Sequence, residues 1–440
     1  MKRRHYLLIA LIFIMGSPLI SFGQTGDSIA GKITLQQCVI YALQHQPLLQ
    51  QALIDEAITE SAIKSRLSEW YPQVYVDYSV QHNFQLQTSI FQGNPVKIGV
   101  NNTSYAYFSA TQNIFNRDVL LASRSAKDVR IRAKQYTSAN KIDITVNVSK
   151  AFYDVLLTMI QIQILDADIL LLQESYKNAL NQYKGGVVDK IDYKRATISL
   201  NNANAVKKAS SEQLKARYAV LKQQMGYPDS LGLALQYDSL QFEQDAYIDT
   251  TLAVSYDNRI EIQTLQTQQR LQQSNLKYYK WAYYPEISAF GNYNLNFQNN
   301  EFSKLYSQNY PNSFAGLRLS LPIFQGGKRN QEIRQADLEL KRVDLDMQNV
   351  KNSINAEYQQ AIASYKSNYN NYAILRENVL LAEEVYNTIQ LQYKSGIKSY
   401  LEVVTAQTDL LDSQVNYTNA LFEVLKSKTD VQRALGLIQY

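Results

Sequence analysis

Side chains suited to catalysis are scarce in this chain. Beyond the first 23 residues the only histidines are His45 and His82, and the only cysteine is Cys38. A zinc site draws on a cluster of Cys and His ligands, and a cysteine nucleophile needs a histidine base; neither can be built from this set. No P-loop occurs. Gly326-Gly327, within Phe324-Gln325-Gly326-Gly327-Lys328, lacks the rest of a dinucleotide fingerprint and reads as a tight turn from strand into helix. Neither enzymatic activity nor a cofactor is expected. The 44 Lys and Arg stand against 39 Asp and Glu, with both signs scattered, and three of the cations lie in the first four residues, leaving +2 without them. That is no nucleic-acid footprint. What remains is the chemistry of isolated charges, phenols and glycine turns, whose effect depends on the elements that carry them.

Met1-Lys2-Arg3-Arg4-His5 is a basic start, residues 6–15 are apolar, and Ser21-Phe22-Gly23 supplies small residues. This pattern predicts a secretory leader, 1–23, cut before Gln24. Cys38 lies too far downstream to be a lipidation site and is expected as a buried thiol in a short helix. After the leader no run of 18 apolar residues is expected, which argues against helical membrane spans. It does not argue against a β-barrel, whose apolar residues alternate with polar ones.

The chain is duplicated. Tyr183-Lys184-Gly185-Gly186-Val187 returns 210 residues later as Tyr393-Lys394-Ser395-Gly396-Ile397, and Pro72 is answered by Pro285. The reading is a first repeat at 24–226, an equatorial linker at 227–250 and a second repeat at 251–440. In residues 118–183 apolar side chains step by three and four (Val148, Ala151, Val155, Thr158, Ile162, Leu165, Ile169, Leu172), and 328–393 repeats the spacing with Ile333, Ala336, Leu340 and Val343. Each stretch predicts a coiled-coil helix about 100 Å long. Glycines near 185–187 and 395–397 end them, and a second helix returns from each tip.

Ahead of each long helix the period changes to two. Val74, Val76, Tyr78 and Val80 alternate with Asp77, Ser79 and Gln81, and Ala315, Leu317, Leu319 and Leu321 alternate with Gly316, Arg318 and Ser320. Strand pairs are expected at 73–87 with 105–115 and at 287–297 with 313–323, each strand having one wet and one apolar face. Trp70-Tyr71-Pro72 and Trp281-Ala282-Tyr283-Tyr284-Pro285 stand at the joints, where aromatics suit a membrane interface. Arg318 is expected on the wet face. Four strands cannot close into an open barrel and exposed edges are not tolerated in lipid, so the chain must oligomerise. Three copies would supply 12 strands.

The order of helix, Tyr-Pro, strand pair, long helix, Tyr-Lys-x-Gly turn and returning helix, twice over, resembles the TolC-type outer-membrane efflux protein family across the whole mature chain. Leu35-Gln36-Gln37-Cys38-Val39-Ile40-Tyr41-Ala42-Leu43, Pro322-Ile323-Phe324-Gln325-Gly326-Gly327 and Tyr400-Leu401-Glu402-Val403-Val404-Thr405-Ala406-Gln407 support the likeness. The resemblance implies a mainly α homotrimer with a periplasmic α-barrel and a 12-stranded transmembrane β-barrel in outer-membrane lipid of a Gram-negative bacterium. It also implies a periplasmic adaptor and an inner-membrane pump of the RND or ABC type. By the same resemblance the adaptor docks at Gly185, Gly186, Val187, Val188, Gly396 and Ile397. Residue matching places Asp192 and Lys398 at charge-pair positions, Tyr393 at a phenol partner position, and Glu402 at one ring of converging acids. Such convergence raises proton affinity. The second ring acid is replaced by Thr405, so weak cation trapping is expected. The function implied is passive export for a tripartite efflux system. A type I protein-secretion duct is the alternative within transport, and a periplasmic coiled-coil scaffold or adaptor is the alternative outside it.

Overall fold

The computed structural model describes residues 31–186, 189–237 and 239–440; the leader and the tip residues Val187 and Val188 lie outside the described residues. A short strand β1 (Lys32–Ile33) precedes helices α1 (Leu35–His45) and α2 (Pro47–Leu67). Strands β2 (Gln73–His82), β3 (Gln87–Phe91), β4 (Asn94–Ile98) and β5 (Asn102–Phe115) lead into α3 (Arg117–Lys184) and α4 (Lys190–Met225). After β6 (Ala234–Leu235) and α5 (Ser239–Asp245), the order recurs as α6 (Ile260–Trp281), β7 (Glu286–Asn299), β8 (Asn312–Ser320), α7 (Lys328–Lys394) and α8 (Tyr400–Leu435).

The long helices α3 and α7 hold 68 and 67 residues, close to the expected limits. Their seams are buried where the three-four spacing requires: Val148, Val155, Leu165, Ile169 and Leu172 in α3, Ala336, Val343 and Ile354 in α7. Within α3 an 18-residue window reaches a mean hydropathy of 1.9, enough by composition to cross a membrane, and 39% of it is buried in the chain. The helix packs against α4 along its own hairpin, against α8 across hairpins, and against α1, α2 and α6 along the rest of its length, so its apolar surface is wider than a single seam.

The four main strands form one antiparallel sheet in the order β2-β5-β7-β8. Its register sorts polarity across both repeats. Val76 opposes Phe108, Phe108 opposes Tyr293, and Tyr293 opposes Ser313, while Val74 and Leu317 extend that face. Asp77, Tyr107, Asn294 and Asn312 run along the other face. Val74 is 68% and Leu317 74% exposed, so the apolar face has no cover within the chain. The outer sides of β2 and β8 carry no strand among the described residues.

Strand limits differ from those expected. The run at 73–87 ends at His82, because Asn83 turns the chain by bonding through its N–H to Asn101 O (2.7 Å) and through Nδ2 to Val100 O (2.9 Å). The strand at 105–115 starts earlier, at Asn102, the one at 287–297 extends to Glu286–Asn299, and the last stops at Ser320, short of Pro322. Between β2 and β5 sits an unforeseen hairpin, β3–β4, turned by Gln92 (φ 50°) and Gly93 (φ 83°). Two positive φ values are what a twist-matched two-residue turn needs.

At the middle of the molecule the two repeats repeat a contact. Gly226 ends α4 with φ 66°, and a Cβ there would lie 2.7 Å from His45 O; Gly436 ends α8 with φ 71°, and a Cβ there would lie 3.1 Å from Asn258 O. Beside each glycine a side chain takes up the last carbonyls of the returning helix. Gln46 Nε2 donates to Gln223 O (3.2 Å); Arg259 Nη1 donates to Arg433 O (3.2 Å) and Ala434 O (2.8 Å). Arg259 is 4% exposed and its charge is met by Glu261 and Glu357 at 2.9 and 2.7 Å. Around these clasps lies the main core, which includes Phe152, Leu156, Leu221, Met225, Phe422 and Leu425. The linker wraps the same level. β6 pairs in parallel with β1, and the Tyr365 hydroxyl accepts from Ile248 N (3.0 Å) and donates to Ala246 O (2.9 Å).

Between the hairpins the contact of α3 with α8 carries polar pairs at heptad spacing along α3, among apolar residues such as Tyr153 and Phe422. Asp154 pairs with Lys426 (3.2 Å), Gln161 Nε2 donates to Asn419 Oδ1 (2.8 Å), and Gln407 Nε2 donates to Asp168 Oδ1 (2.7 Å). Burial lifts the Asp168 carboxyl above the usual carboxylate range, and the Gln407 bond only partly opposes this.

Two outcomes follow for thermal unfolding of the detergent-purified protein. Arg259→Ala leaves two helix-end carbonyls and two carboxylates without their donor and should cost about 3 kcal/mol, with Arg259→Gln, the first repeat's solution, costing less. Asp168→Asn removes a charge that burial makes costly, so at pH 7 its unfolding midpoint should exceed the wild type's by a few degrees. A carboxyl whose folded pKa is raised is penalised above that pKa and not below the unfolded value of about 3.9, so the gap should close on acidification.

Candidate functional site

Chemistry concentrates where the two hairpins turn. In the first, Gly185 N donates to Asn181 O (2.9 Å) and Gly186 N to Tyr183 O (3.0 Å); in the second, Ser395 N donates to Leu391 O (3.1 Å) and Gly396 N to Tyr393 O (2.9 Å). Gly186 (φ 72°) and Gly396 (φ 77°) occupy the left-handed region, whereas Gly185 (φ −77°) does not. One glycine per tip is therefore required by the backbone, which explains why Ser395 stands in the place of Gly185. Ile397 is 72% exposed at the second tip.

Past each tip the returning helices begin differently. Ser399 starts α8 with a capping box: its N–H (2.9 Å) and its hydroxyl (3.0 Å) donate to Glu402 Oε2. Glu402 Oε1 receives Lys398 Nζ at 2.6 Å. Lys398, then the Ser399 backbone and hydroxyl, hold the Glu402 carboxyl down at about 2. Within one chain this is the reverse of the raised proton affinity expected of converging acids, because Glu402 is held by Lys398 and Ser399 just ahead of its helix. Asp189 starts α4 without a side-chain cap bond, and Asp192 sits in the first turn. Asp192 and Lys398 are not joined within the chain, since Lys398 is held by Glu402 and Asp192 has no ion pair among the described residues.

Phenols fill the space between the hairpin ends. Tyr393 donates through its hydroxyl to Gln182 Oε1 (3.2 Å), linking α7 to α3. Tyr183 and Tyr193 lie with ring centres 4.9 Å apart, and Tyr393 and Tyr400 with centres 6.1 Å apart. Tyr400 and Gln182 were given no role by sequence reasoning. The available signal was the inequality of the repeats, since Tyr400 stands where the first copy has Lys190.

Arg318 lies on the polar face of β8, opposite Ser288 of β7. Its guanidinium sits 5.3 Å from the Phe290 ring centre, and no carboxylate pairs with it among the described residues. Gly316 makes room for that ring, because a Cβ there would lie 3.0 Å from Phe290. Cys38 is buried in α1, and burial pushes its thiol up to about 12, so it is inert. Among the described residues no group of three or more His, Cys, Asp and Glu side chains is placed to hold a metal ion.

A family model described as outer membrane efflux protein matches residues 40–227 and again 251–437, following the two repeats. Outer membrane protein TolC of Escherichia coli strain K12 is 19% identical over 430 residues, covering 94% of this chain and 84% of that one. Probable efflux pump outer membrane protein TtgC of Pseudomonas putida is 20% identical over 331 residues, covering 74% and 66%. Among solved structures, VceC of Vibrio cholerae superposes with a TM-score of 0.72 at 14% identity, over 91% of this chain and 96% of that one. The open state of the Neisseria gonorrhoeae MtrE outer membrane channel gives 0.71 at 16% identity, over 91% and 88%. The helical hairpins and two-faced sheet are thus those of an outer-membrane protein reaching into the periplasm. With both repeats matched across most of its length, the chain belongs to the outer membrane efflux protein family.

Proposed function

We propose that three copies of this chain form the outer-membrane channel of a tripartite efflux system, conducting substrates passively from an inner-membrane pump and a periplasmic adaptor to the exterior. The observation that carries this reading is the sheet. One face is apolar in register over all four strands, the other is polar and holds Arg318, and both outer strands lack partners among the described residues. An open edge in hydrocarbon leaves backbone groups unsatisfied, and three sheets of four strands joined edge to edge remove every edge and leave a lumen lined by the polar faces. A periplasmic scaffold has no use for an apolar sheet face of this extent. The names of relatives such as TtgC favour efflux over protein secretion.

The tips then form the periplasmic end. Gly186, Gly396 and Ile397 present the adaptor surface, together with Gly185, Val187 and Val188, and Asp192, Lys398, Tyr393 and Glu402 form the gate. Because Lys398 neutralises Glu402 and Thr405 takes the place of a second acid, the entrance holds cations weakly.

Purified in detergent, the protein should run as a trimer by light scattering; recovery as a soluble monomer without detergent would end this reading. Asp192→Ala and Lys398→Ala should each raise single-channel conductance in planar bilayers at least about twofold, a ratio equivalent to roughly 0.4 kcal/mol; unchanged conductance argues against the gate. Deleting the gene should sensitise cells to drugs, bile salts or metals while leaving secreted proteins unaltered, and the opposite profile would favour a secretion duct.

A further inference from the structure

Between the main core and the tips a cleft of about 470 Å³ is built from α3, α4 and α8 of a single chain. Leu165 and Leu172 of α3, Ala203 and Val206 of α4, and Val404 and Leu411 of α8 give it hydrocarbon walls. Asp168 and Gln407 line the same cleft, although they are only 8% and 5% exposed. The ionised carboxylate can only accept, so the amide of Gln407 must turn its Nε2 to Asp168 Oδ1, at 2.7 Å. That leaves Asp168 Oδ2 and Gln407 Oε1 without a donor among the described residues.

Charge in the cleft is equally one-sided. No Lys, Arg or His lines it among the described residues, and Asp412, exposed on α8, adds a second carboxylate. Lys207, next to Val206 in the chain, is taken by Asp166 at 2.6 Å. A carboxylate shielded from water without a counter-ion is a standing cost, which the Gln407 bond offsets only in part. The missing partner must be both a cation and a hydrogen-bond donor.

We propose that this cleft is a binding site for a protonated amine with an apolar body: its ammonium donates to Asp168 Oδ2 and Gln407 Oε1 while its hydrocarbon lies against Leu165, Leu172, Val206 and Leu411. The volume suits a ligand of drug size. A calcium ion would take six to eight oxygen ligands, whereas here hydrocarbon surrounds the two buried side chains. An apolar amine uses both parts of the lining. Because α3 and α4 belong to the first hairpin and α8 to the second, the bound amine ties the two hairpins together.

The test titrates adamantylamine into the full-length protein in detergent, with adamantanol as a neutral ligand of the same shape. By isothermal titration calorimetry the amine should bind at least about tenfold more tightly than the alcohol, and at saturation it should raise the unfolding midpoint by a few degrees. Asp168→Asn should weaken the amine at least about tenfold. That variant is expected to be the more stable protein, so its loss of binding would not reflect misfolding. Val206→Trp fills the cleft while leaving both oxygens in place, and it should abolish binding. Amine binding that survives either variant overturns the proposal, since it then depends on another surface or on the micelle. An alcohol bound as tightly as the amine overturns it by removing the role of charge, and a wild-type protein that does not bind the amine overturns it outright.

Discussion

The tall helices are hung from two corner clasps at mid-height. There Gly226 lies against His45 and Gln46, and Gly436 against Asn258. A returning helix that ends under packed structure must have its last carbonyls satisfied, and only glycine allows the incoming backbone so close. The first repeat meets the need with the amide of Gln46, the second with the guanidinium of Arg259. The second choice brings a charge inside and with it Glu261 and Glu357, so one clasp is neutral and the other ionic. The main core gathers at the same level, and the hairpins extend from it toward the tips with little beyond their own seams to steady them.

Polarity is distributed differently in the seams and in the sheet. Inside each hairpin the seam is chiefly apolar, while between hairpins Asp154, Gln161 and Asp168 meet polar partners on α8. Apolar seams tolerate small slips; buried hydrogen-bonded pairs fix a register. In the sheet the fixed quantity is alternation. A slip of one residue at the β5–β7 junction would turn one repeat's apolar residues to the polar face, so the register there, running from Asn102 with Asn299 to Thr111 with Phe290, keeps two halves of the chain on one side.

Much of this was legible in the sequence because it rests on long averages. A three-four period maintained over more than sixty residues fixes α3 and α7 nearly to their ends, and the duplication locates both tips. The remainder depends on partners that no period reveals. β1 and β6 are two residues each and exist because they meet each other. β3 and β4 are too short and mixed in polarity to declare themselves beside the stronger alternation of β2. The strand end at His82 is set by Asn83 bonding to Val100 and Asn101 across the hairpin. At the tips, the spacing of Lys398 and Glu402 suits an i,i+4 pair, but family likeness pointed Lys398 toward Asp192 instead. Tyr400 is one tyrosine among 33, distinguished only by the burial of its hydroxyl.

The central pairing of the sheet joins Asn102 to Asn299, 197 residues apart, whereas each helical hairpin closes over a turn of a few residues. Loop-closure entropy sets an order of assembly: local hairpins form first, and the β5–β7 seam must wait until most of the chain is present. Half a sheet from the first repeat offers two strands with two bare edges, too little to stand alone. The wait between local helical hairpins and the β5–β7 pairing is therefore a consequence of the chain's duplication, which puts the two strands of that pair in different repeats.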